Sequence, residues 1–142
     1  MHIQYPEYIT RTVFFGNPDK EFIDCYDAVL KANEIAEQKI KCGTLTDEAD
    51  GFAREYLKEK GLDKYFTHSL GHGLGLEIHE YPTLSFRKKD EITEKMLFTI
   101  EPGVYLEGKF GIRIEDTVLL TKDGVKGLFT DSKELKIIKK YN

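Results

Sequence analysis

The stretch that decides the fold is HSLGHGLGLEIHE, residues 68–80, which brings three histidines together within twelve positions. Glycines stand between these histidines, as they do in loops that bind dinucleotides. A dinucleotide loop follows a strand and opens a helix, whereas the residues after this stretch have the composition of strands. The pattern therefore favours a histidine-based site. One histidine alone would indicate only a structural side chain. Whether these three form a functional site therefore depends on the acids farther along the chain.

Two acidic residues farther along, Glu101 and Glu115, lie in segments rich in apolar residues typical of strands, FTIEPGVY and GIRIEDTV. A carboxylate buried among isoleucine and valine without a partner costs free energy, so each acid needs a cation. One candidate is Arg113, because residues two apart on a strand share one face with Glu115. A metal ion is the other candidate, and the nearby histidines favour it. An ion pair with Arg113 alone stays open at this point.

Upstream of the histidines, the hydrophobic spacing predicts two amphipathic helices. The Asn-Pro pair at 17–18 marks the start of the first, which we place at about 19–41 and end at Gly43. The second helix is predicted to begin after Thr46 as its cap and to stop at Gly61.

The rest of the chain has the composition of strands, rich in β-branched and aromatic residues. The predicted strands lie at 9–15, 66–70, 76–79, 96–100, 104–106 and 112–120, with one or two short strands after a turn at 122–124. Two helices followed by a run of strands predict an α+β fold, with the helices packed on one face of a curved antiparallel sheet.

The composition fits one globular domain, since the chain has 142 residues of which 40% are hydrophobic and 32% are charged. A formal net charge of −4 gives no electrostatic reason to bind nucleic acid or an anionic membrane. No apolar run approaches the roughly 20 residues that a membrane span needs. Cys25 and Cys42 match neither a redox motif nor a zinc-finger pair, so a reducing cytoplasm is the expected location.

Three segments, HSLGHGLGLEIHE, TIEPGVY and RIEDT, resemble in order and spacing the C-terminal signatures of the Xaa-Pro dipeptidase and aminopeptidase P family, which is a branch of the pita-bread metallopeptidases. ITRTVFFGNP resembles the strand that follows that family's second aspartate ligand. Methionine aminopeptidases share the fold and the histidine loop, but EPGVY and RIED resemble the proline peptidases more closely. The resemblance implies a pita-bread fold and metal-dependent hydrolysis of the peptide bond preceding proline in short peptides.

The resemblance also implies the metal ligands. His72, Glu101 and Glu115 would hold the metal, with Glu115 bridging two ions in the complete family site. Imidazole and carboxylate ligands suit Mn, Co or Zn. Glu101 would also take part in proton transfer.

Four further residues would act around the metal. His68 and His79 would lie beside the substrate, and His79 would donate a hydrogen bond to the scissile carbonyl or stabilise the tetrahedral intermediate. Tyr105 would line the substrate pocket. Arg113 would border the substrate as well, and it would support the carboxylate of Glu115.

The family pattern includes two aspartate ligands that this sequence does not match. One position is occupied by Tyr8, and the other falls before Met1. Tyrosine ligates as a phenolate, which is costly at neutral pH because its ordinary pKa is near 10. Glu7 would help only if a bulge turned it inward, since adjacent strand residues face opposite sides. The two remaining carboxylates balance one divalent ion, so we expect one metal bound weakly, or none.

The expected domain, residues 1–142, is therefore part of a metallopeptidase catalytic domain, without the family's N-terminal domain and the first part of the catalytic domain. An open sheet edge in such a domain predicts a homo-oligomer, because unpaired edges recruit other chains. The expected partner is a short proline-containing peptide, with no nucleic acid and no membrane. Two alternatives stay open, a catalytically inactive module that binds a peptide or protein and a folded fragment without a role.

Overall fold

The structure, a computed structural model, describes residues 8–139, which form two α-helices, one short 3-10 helix and ten strands. The helices are α1 (Lys20–Lys39) and α2 (Thr46–Glu59), and the 3-10 helix spans Asp63–Tyr65. The strands are β1 (Ile9–Thr10), β2 (Val13–Phe15), β3 (Gly71–Gly73), β4 (Glu80–Leu84), β5 (Leu97–Ile100), β6 (Gly103–Leu106), β7 (Phe110–Arg113), β8 (Glu115–Thr121), β9 (Gly124–Gly127) and β10 (Lys136–Ile138). The predicted α+β class is confirmed.

Both predicted helices are present, but their first caps were assigned wrongly. The N-cap of α1 is Asp19, whose carboxylate accepts a hydrogen bond from the Phe22 N–H at 2.8 Å, rather than Asn17. Thr46 is the first residue of α2 instead of its cap, and its hydroxyl accepts the Asp90 N–H at 3.0 Å. Asn17 and Thr46 were expected as caps because their residue types are common at helix starts. Which side chain reaches the free N–H groups depends on where the chain turns into the helix.

The main sheet has six strands in the order β1-β8-β5-β3-β4, with β9 also paired to β8, and its pairs are antiparallel. β6 and β7 form a separate hairpin, and β2 pairs with β10 in parallel. The strand predicted at 9–15 is therefore two short strands in different sheets. The strand predicted at 112–120 is also divided, because Ile114 leaves the ladder and donates its N–H to the Pro102 carbonyl.

Two predicted strands, at 66–70 and 76–79, are wrong. In the first segment the carbonyls of Phe66 and His68 and the Leu70 N–H bond to side chains of α2, and the Leu70 carbonyl accepts the Glu101 N–H at 2.8 Å. In the second segment a local turn forms, in which the Glu77 N–H donates to the Glu80 carboxylate at 2.7 Å. The strand begins only at Glu80 and becomes β4.

The two helices and the sheet share one apolar core. It includes Tyr26 and Val29 from α1, Leu57 from α2, and Phe98 and Val118 from the sheet, all essentially inaccessible to solvent. Burying a side chain of this size stabilises the fold by about 1.5–3 kcal/mol. Neither helix in the described part of the chain has the length and apolar character that a membrane crossing requires.

Candidate metal centre

The alternation of side chains along β5 and β8 separates the candidate site from the core. Phe98 and Ile100 of β5 point into the core, so Glu101 and Thr99 face the opposite side of the sheet. Glu115 opens β8 and is also buried. The sheet therefore carries both acids on the face that lies away from the helices.

Three side chains converge on this face. His72, Glu101 and Glu115 each offer one ligand atom, and these atoms all lie within 4.8 Å of one another. His72 Nε2 is 3.3 Å from Glu101 Oε1. Bonds from nitrogen or oxygen to a divalent metal are about 2.0–2.2 Å long, so an ion among three atoms at this spacing is within reach of all of them. These are the three residues that the family resemblance implied as ligands.

The tautomer of His72 suits a ligand. Its Nδ1 lies 3.0 Å from the Gly73 carbonyl oxygen. A carbonyl only accepts hydrogen bonds, so Nδ1 carries the proton and Nε2 presents its lone pair toward Glu101. A hydrogen bond from the second ring nitrogen to a carbonyl is the usual way to orient a metal-binding histidine.

Two threonines that the sequence analysis missed fix the carboxylates. Thr99 Oγ1 accepts the His72 N–H at 3.0 Å and donates to Glu101 Oε1 at 3.1 Å, which links two of the ligands. The Thr10 hydroxyl donates to the Glu115 carboxylate. Thr99 lies two residues before Glu101 on the same strand face, so the alternation could have found it. Thr10 reaches Glu115 only through the pairing of β1 with β8, which the sequence does not reveal.

The electrostatics of the two acids indicate a cation site. Burial, followed by repulsion from the Glu115 carboxylate, raises the pKa of Glu101 to about 7. Two buried carboxylates close together disfavour their charged forms unless a positive charge stands beside them. The donor set of one imidazole and two carboxylates therefore fits a divalent metal.

Glycines in the histidine stretch have a packing role. A Cβ on Gly71 would overlap the Thr99 carbonyl of β5, and one on Gly73 would overlap the Tyr81 carbonyl of β4. β3 lies between these two strands, and only glycine allows their backbones to approach so closely. The glycines thus allow the strands around His72 to pack closely. The next element after them is β4, whereas a dinucleotide loop would be followed by a helix.

A cavity of about 720 Å³ opens beside two of the candidate ligands, His72 and Glu101. His68, His79 and Arg113 line it together with His72 and Glu101. The His79 ring lies 4.4 Å from the His72 ring, centroid to centroid, at an interplanar angle of 61°. The structure thus brings both substrate-side histidines of the sequence analysis to the edge of the candidate metal centre.

His68 is held in a neutral form by its partners. Its Nδ1–H donates to the Ser69 carbonyl at 2.8 Å, so its Nε2 accepts the Tyr105 hydroxyl at 3.0 Å. Burial lowers the pKa of His68 and raises the pKa of Tyr105, and both changes favour the uncharged groups. Tyr105 lines a neighbouring cavity and contacts the candidate site through His68.

Arg113 does not hold Glu115 as the sequence analysis expected. Within residues 8–139 the two form no ion pair, and Arg113 Nε is buried without a hydrogen-bond partner. The expectation assumed one continuous strand, but Arg113 ends β7 and Glu115 begins β8, so the rule of alternation does not carry across Ile114. Arg113 lines the cavity instead.

A clamp on α2 that the sequence analysis did not identify positions the His68 segment. Arg54 binds the Asp50 carboxylate at 2.6 Å and donates to the carbonyls of Phe66 and His68 at 2.8 and 2.9 Å. Asp50 is fully buried and also accepts the Leu70 N–H at 3.0 Å. The four-residue spacing of these opposite charges on a helix was a signal that could have been used.

Tyr8, at the position of the family's aspartate, is half-buried at the start of the described residues. Its N–H and carbonyl both bond to the Thr117 hydroxyl, at 3.1 and 2.7 Å. Glu7, the alternative ligand, lies outside the described residues.

Known proteins share this arrangement of elements. The profile of metallopeptidase family M24 matches residues 2–122. An Xaa-Pro dipeptidase from Pyrococcus furiosus is 44% identical over 135 residues, which make up 95% of this chain and 39% of that protein. Among solved structures, an X-Pro aminopeptidase from Thermotoga maritima has a TM-score of 0.90 at 45% identity, and an Xaa-Pro dipeptidase from Bacillus anthracis has a TM-score of 0.92 at 42% identity.

Each of these two structures aligns with 94% of this chain, and the alignment covers 38% of its own length. The chain thus spans well under half the length of the relatives it matches. The likeness in sequence and structure confirms the expected pita-bread fold. The chain belongs to metallopeptidase family M24.

Proposed function

We propose that this chain provides metal- and substrate-binding residues for hydrolysis of the peptide bond that precedes proline in short peptides. The observation that carries the proposal is the convergence of His72, Glu101 and Glu115 within 4.8 Å at the edge of a cavity. The family relatives named as Xaa-Pro dipeptidases support the substrate class. A cavity of about 720 Å³ lies in the range of small-ligand pockets and has room for a short peptide.

The ligands would be His72 Nε2 and the carboxylates of Glu101 and Glu115, with Mn, Co or Zn as the ion. When bound, such a cation supplies Lewis-acid chemistry, which polarises an amide carbonyl and activates water. The remaining work falls to residues of the chain. Glu101 would also take part in proton transfer, a role that carboxylates commonly fill in active sites. His79 lies where it would donate a hydrogen bond to a carbonyl oxygen bound in the cavity.

His68 has a positioning role in this proposal. Its lowered pKa keeps the ring neutral at physiological pH, and the Tyr105 hydroxyl fixes its orientation. The ring therefore presents a defined, uncharged surface to the substrate. Arg113 brings the only guanidinium among the residues that line this cavity, so it would attract a negatively charged part of the peptide.

The charge count limits the metal content. Glu101 and Glu115 together balance one divalent ion, and Tyr8 adds no carboxylate. One weakly bound ion is the stoichiometry that this proposal expects. This departure from the family pattern keeps a second function open, in which the cavity holds a peptide or a protein without catalysis.

A hydrolysis assay separates the two functions. Xaa-Pro dipeptides are incubated with the protein and with added Mn or Co, and the released amino acids are measured before and after chelation. Turnover that chelation abolishes, that Glu115→Gln also abolishes and that Glu107→Gln leaves unchanged would support the peptidase. Glu107 is the matched control because it is exposed in the turn between β6 and β7. Peptide binding that persists without metal or turnover would favour the binding module.

The homo-oligomer and the cytoplasmic location stay predictions. Within residues 8–139, β1 pairs with β8 alone, through two residues, and an unpaired strand edge recruits other chains. Light scattering that finds only a monomer at all concentrations would contradict an assembly through this edge. Both cysteines are free in the structure, which suits a reducing compartment.

A further inference from the structure

A polar network lies on the helix side of the sheet, behind the candidate metal centre. Its central members are Asn33 of α1, Asp116 of β8 and Lys133 of the segment between β9 and β10. Asn33 is fully buried and Asp116 nearly so. Buried polar groups of this kind are costly unless they are bonded, and here most of their capacity is used.

Asn33 connects the two acids through their neighbours in the chain. Its side-chain Nδ2 donates to the Ile100 carbonyl at 3.1 Å and reaches the Ile114 carbonyl at 3.5 Å. These carbonyls belong to the residues directly before Glu101 and Glu115. One amide group therefore contacts both backbone segments that carry the carboxylate ligands.

Lys133 sets the orientation of Asn33. Its ammonium group donates to Asn33 Oδ1 at 2.7 Å and to Glu37 at 2.8 Å. It also forms an ion pair with Asp116 Oδ2 at 2.9 Å, although this buried oxygen accepts no hydrogen bond. Two of the three ammonium donors are thus used in hydrogen bonds. Because Asn33 Oδ1 accepts from Lys133, its Nδ2 is directed to the two carbonyls.

Asp116 and Arg11 extend the network to Glu115 itself. Asp116 Oδ1 binds Arg11 Nη2 at 2.6 Å, and Arg11 Nη1 donates to the carbonyls of Glu115 and Thr10 at 2.8 and 3.0 Å. The Thr10 hydroxyl in turn donates to the Glu115 carboxylate. Ion pairs and hydrogen bonds thus connect Lys133, through Asp116 and Arg11, with a candidate ligand.

We propose that Asn33 and Lys133 are positioning residues that hold the Glu101 and Glu115 backbones at the spacing which metal binding requires. The inference rests on the proposed metal site. The two acids come from separate strands, and ligands must be held within about 0.5 Å of their working geometry. Lys133 lies beyond residues 2–122, where the family profile matches, so the segment after β9 contributes to the site from outside the matched region.

The first test replaces Lys133 with methionine, which keeps the length of the side chain and removes its three donors. Loss of a residue that supports metal ligands typically weakens metal binding about 10- to 100-fold. Calorimetric titration with Mn²⁺ should show a loss of that size in Lys133→Met and recovery in Lys133→Arg. Lys136→Met is the control, because Lys136 is exposed on β10 and has no side-chain partner within residues 8–139.

A second measurement does not depend on metal. Amide hydrogen exchange, followed by NMR, should be faster at Glu101 and Glu115 in Lys133→Met and unchanged at Ala53 in α2. Asn33→Asp is the second variant, since it keeps the volume and the acceptor for Lys133 and removes the donor to the carbonyls. If Lys133→Met does not fold, amide exchange at Glu101 and Glu115 in Asn33→Asp tests the positioning role.

The outcomes separate this inference from the proposed function. Equal Mn²⁺ affinity and equal exchange in wild type, Lys133→Met and Asn33→Asp would overturn the positioning role. Loss of fold in both variants would show a purely structural role and would also overturn it. If the wild type binds no Mn²⁺, the proposed function fails, while the exchange at Glu101 and Glu115 still decides whether the network holds these two backbones.

Discussion

At the residue scale, the three candidate ligands could be named because the motifs that contain them resemble those of a known family. His72 lies in a dense histidine stretch, and Glu101 and Glu115 interrupt apolar strands. The residues that orient them could not all be found in this way. Thr10 and Glu115 are brought together across more than one hundred positions by the pairing of β1 with β8.

The close approach of strands around His72 leads to a stability prediction for Gly71. A methyl group there meets the Thr99 carbonyl, so Gly71→Ala should lower the free energy of unfolding by about 1–3 kcal/mol, as overpacking typically does. Chemical denaturation measures this change.

Gly51→Ala is the matched control for Gly71→Ala. Gly51 lies within α2, and its added Cβ would meet no atom within 4 Å. This substitution should stabilise the protein by up to about 1 kcal/mol, because alanine favours the helix. Equal effects of the two substitutions would contradict the packing role of Gly71.

His68 gives a prediction about pH. Burial lowers its pKa in the folded state below the ordinary 6.5, so the unfolded chain binds the proton more readily. The neutral His68 ring therefore contributes fully to the stability of the fold above pH 6.5. This contribution is lost as the pH falls from 6.5 through the lower pKa that His68 has in the folded protein.

NMR titration of the imidazole signals tests this prediction directly. We expect the His68 ring to remain neutral at pH values where an exposed histidine is half protonated. A His68 pKa at or above 6.5 in the folded protein would contradict the buried, neutral ring described here.

At the scale of elements, both helices could be predicted because their apolar spacing is regular, whereas the strands were predicted less well. Residues 66–70 have the composition of a strand, but three of their backbone groups bond to side chains of α2. Residues 112–120 are divided at Ile114, whose N–H bonds outside the ladder. The composition of a segment indicates whether its residues suit a strand, but it does not determine the hydrogen-bond partners of its backbone.

The clamp of α2 on the His68 segment predicts a large effect for Arg54. Arg54→Met leaves Asp50 buried without its partner, and breaking such a buried pair typically costs about 3–5 kcal/mol. The Leu70 amide, which bonds to Asp50, should also exchange faster with solvent. Thermal and chemical denaturation measure the first effect, and hydrogen exchange measures the second.

Lys20→Met provides the comparison for Arg54→Met. Lys20 and Asp24 form an ion pair with the same four-residue spacing on α1, at 2.7 Å, but both side chains are largely exposed. Its removal should change stability by less than about 1 kcal/mol. A small effect in both variants would show that the α2 clamp does not hold the segment.

At the scale of the whole molecule, the fold and the family could be anticipated because three motifs occur in a fixed order along the chain. The polar network between Asn33 and Lys133 could not be anticipated, because it joins residues one hundred positions apart. The residue types alone do not indicate that the two side chains meet. The expected ion pair of Arg113 with Glu115 failed for a similar reason, because it depended on how the chain passes from β7 to β8.

The cluster found within residues 8–139 is expected to bind one divalent ion, because its two carboxylates, Glu101 and Glu115, balance the charge of one. A bound ion would stabilise the folded chain, by about 2.7 kcal/mol at one hundred times its dissociation constant. The same ion would lower the pKa of Glu101 from its value of about 7, since a positive charge favours the carboxylate.

The most direct test of the metal centre is a calorimetric titration of the protein with Mn²⁺, repeated with His72→Ala and Glu115→Gln. We predict one weak site per chain in the wild type and no detectable site in either variant. Two tight sites would contradict the charge count, and binding that both variants retain would contradict a cation held jointly by His72, Glu101 and Glu115.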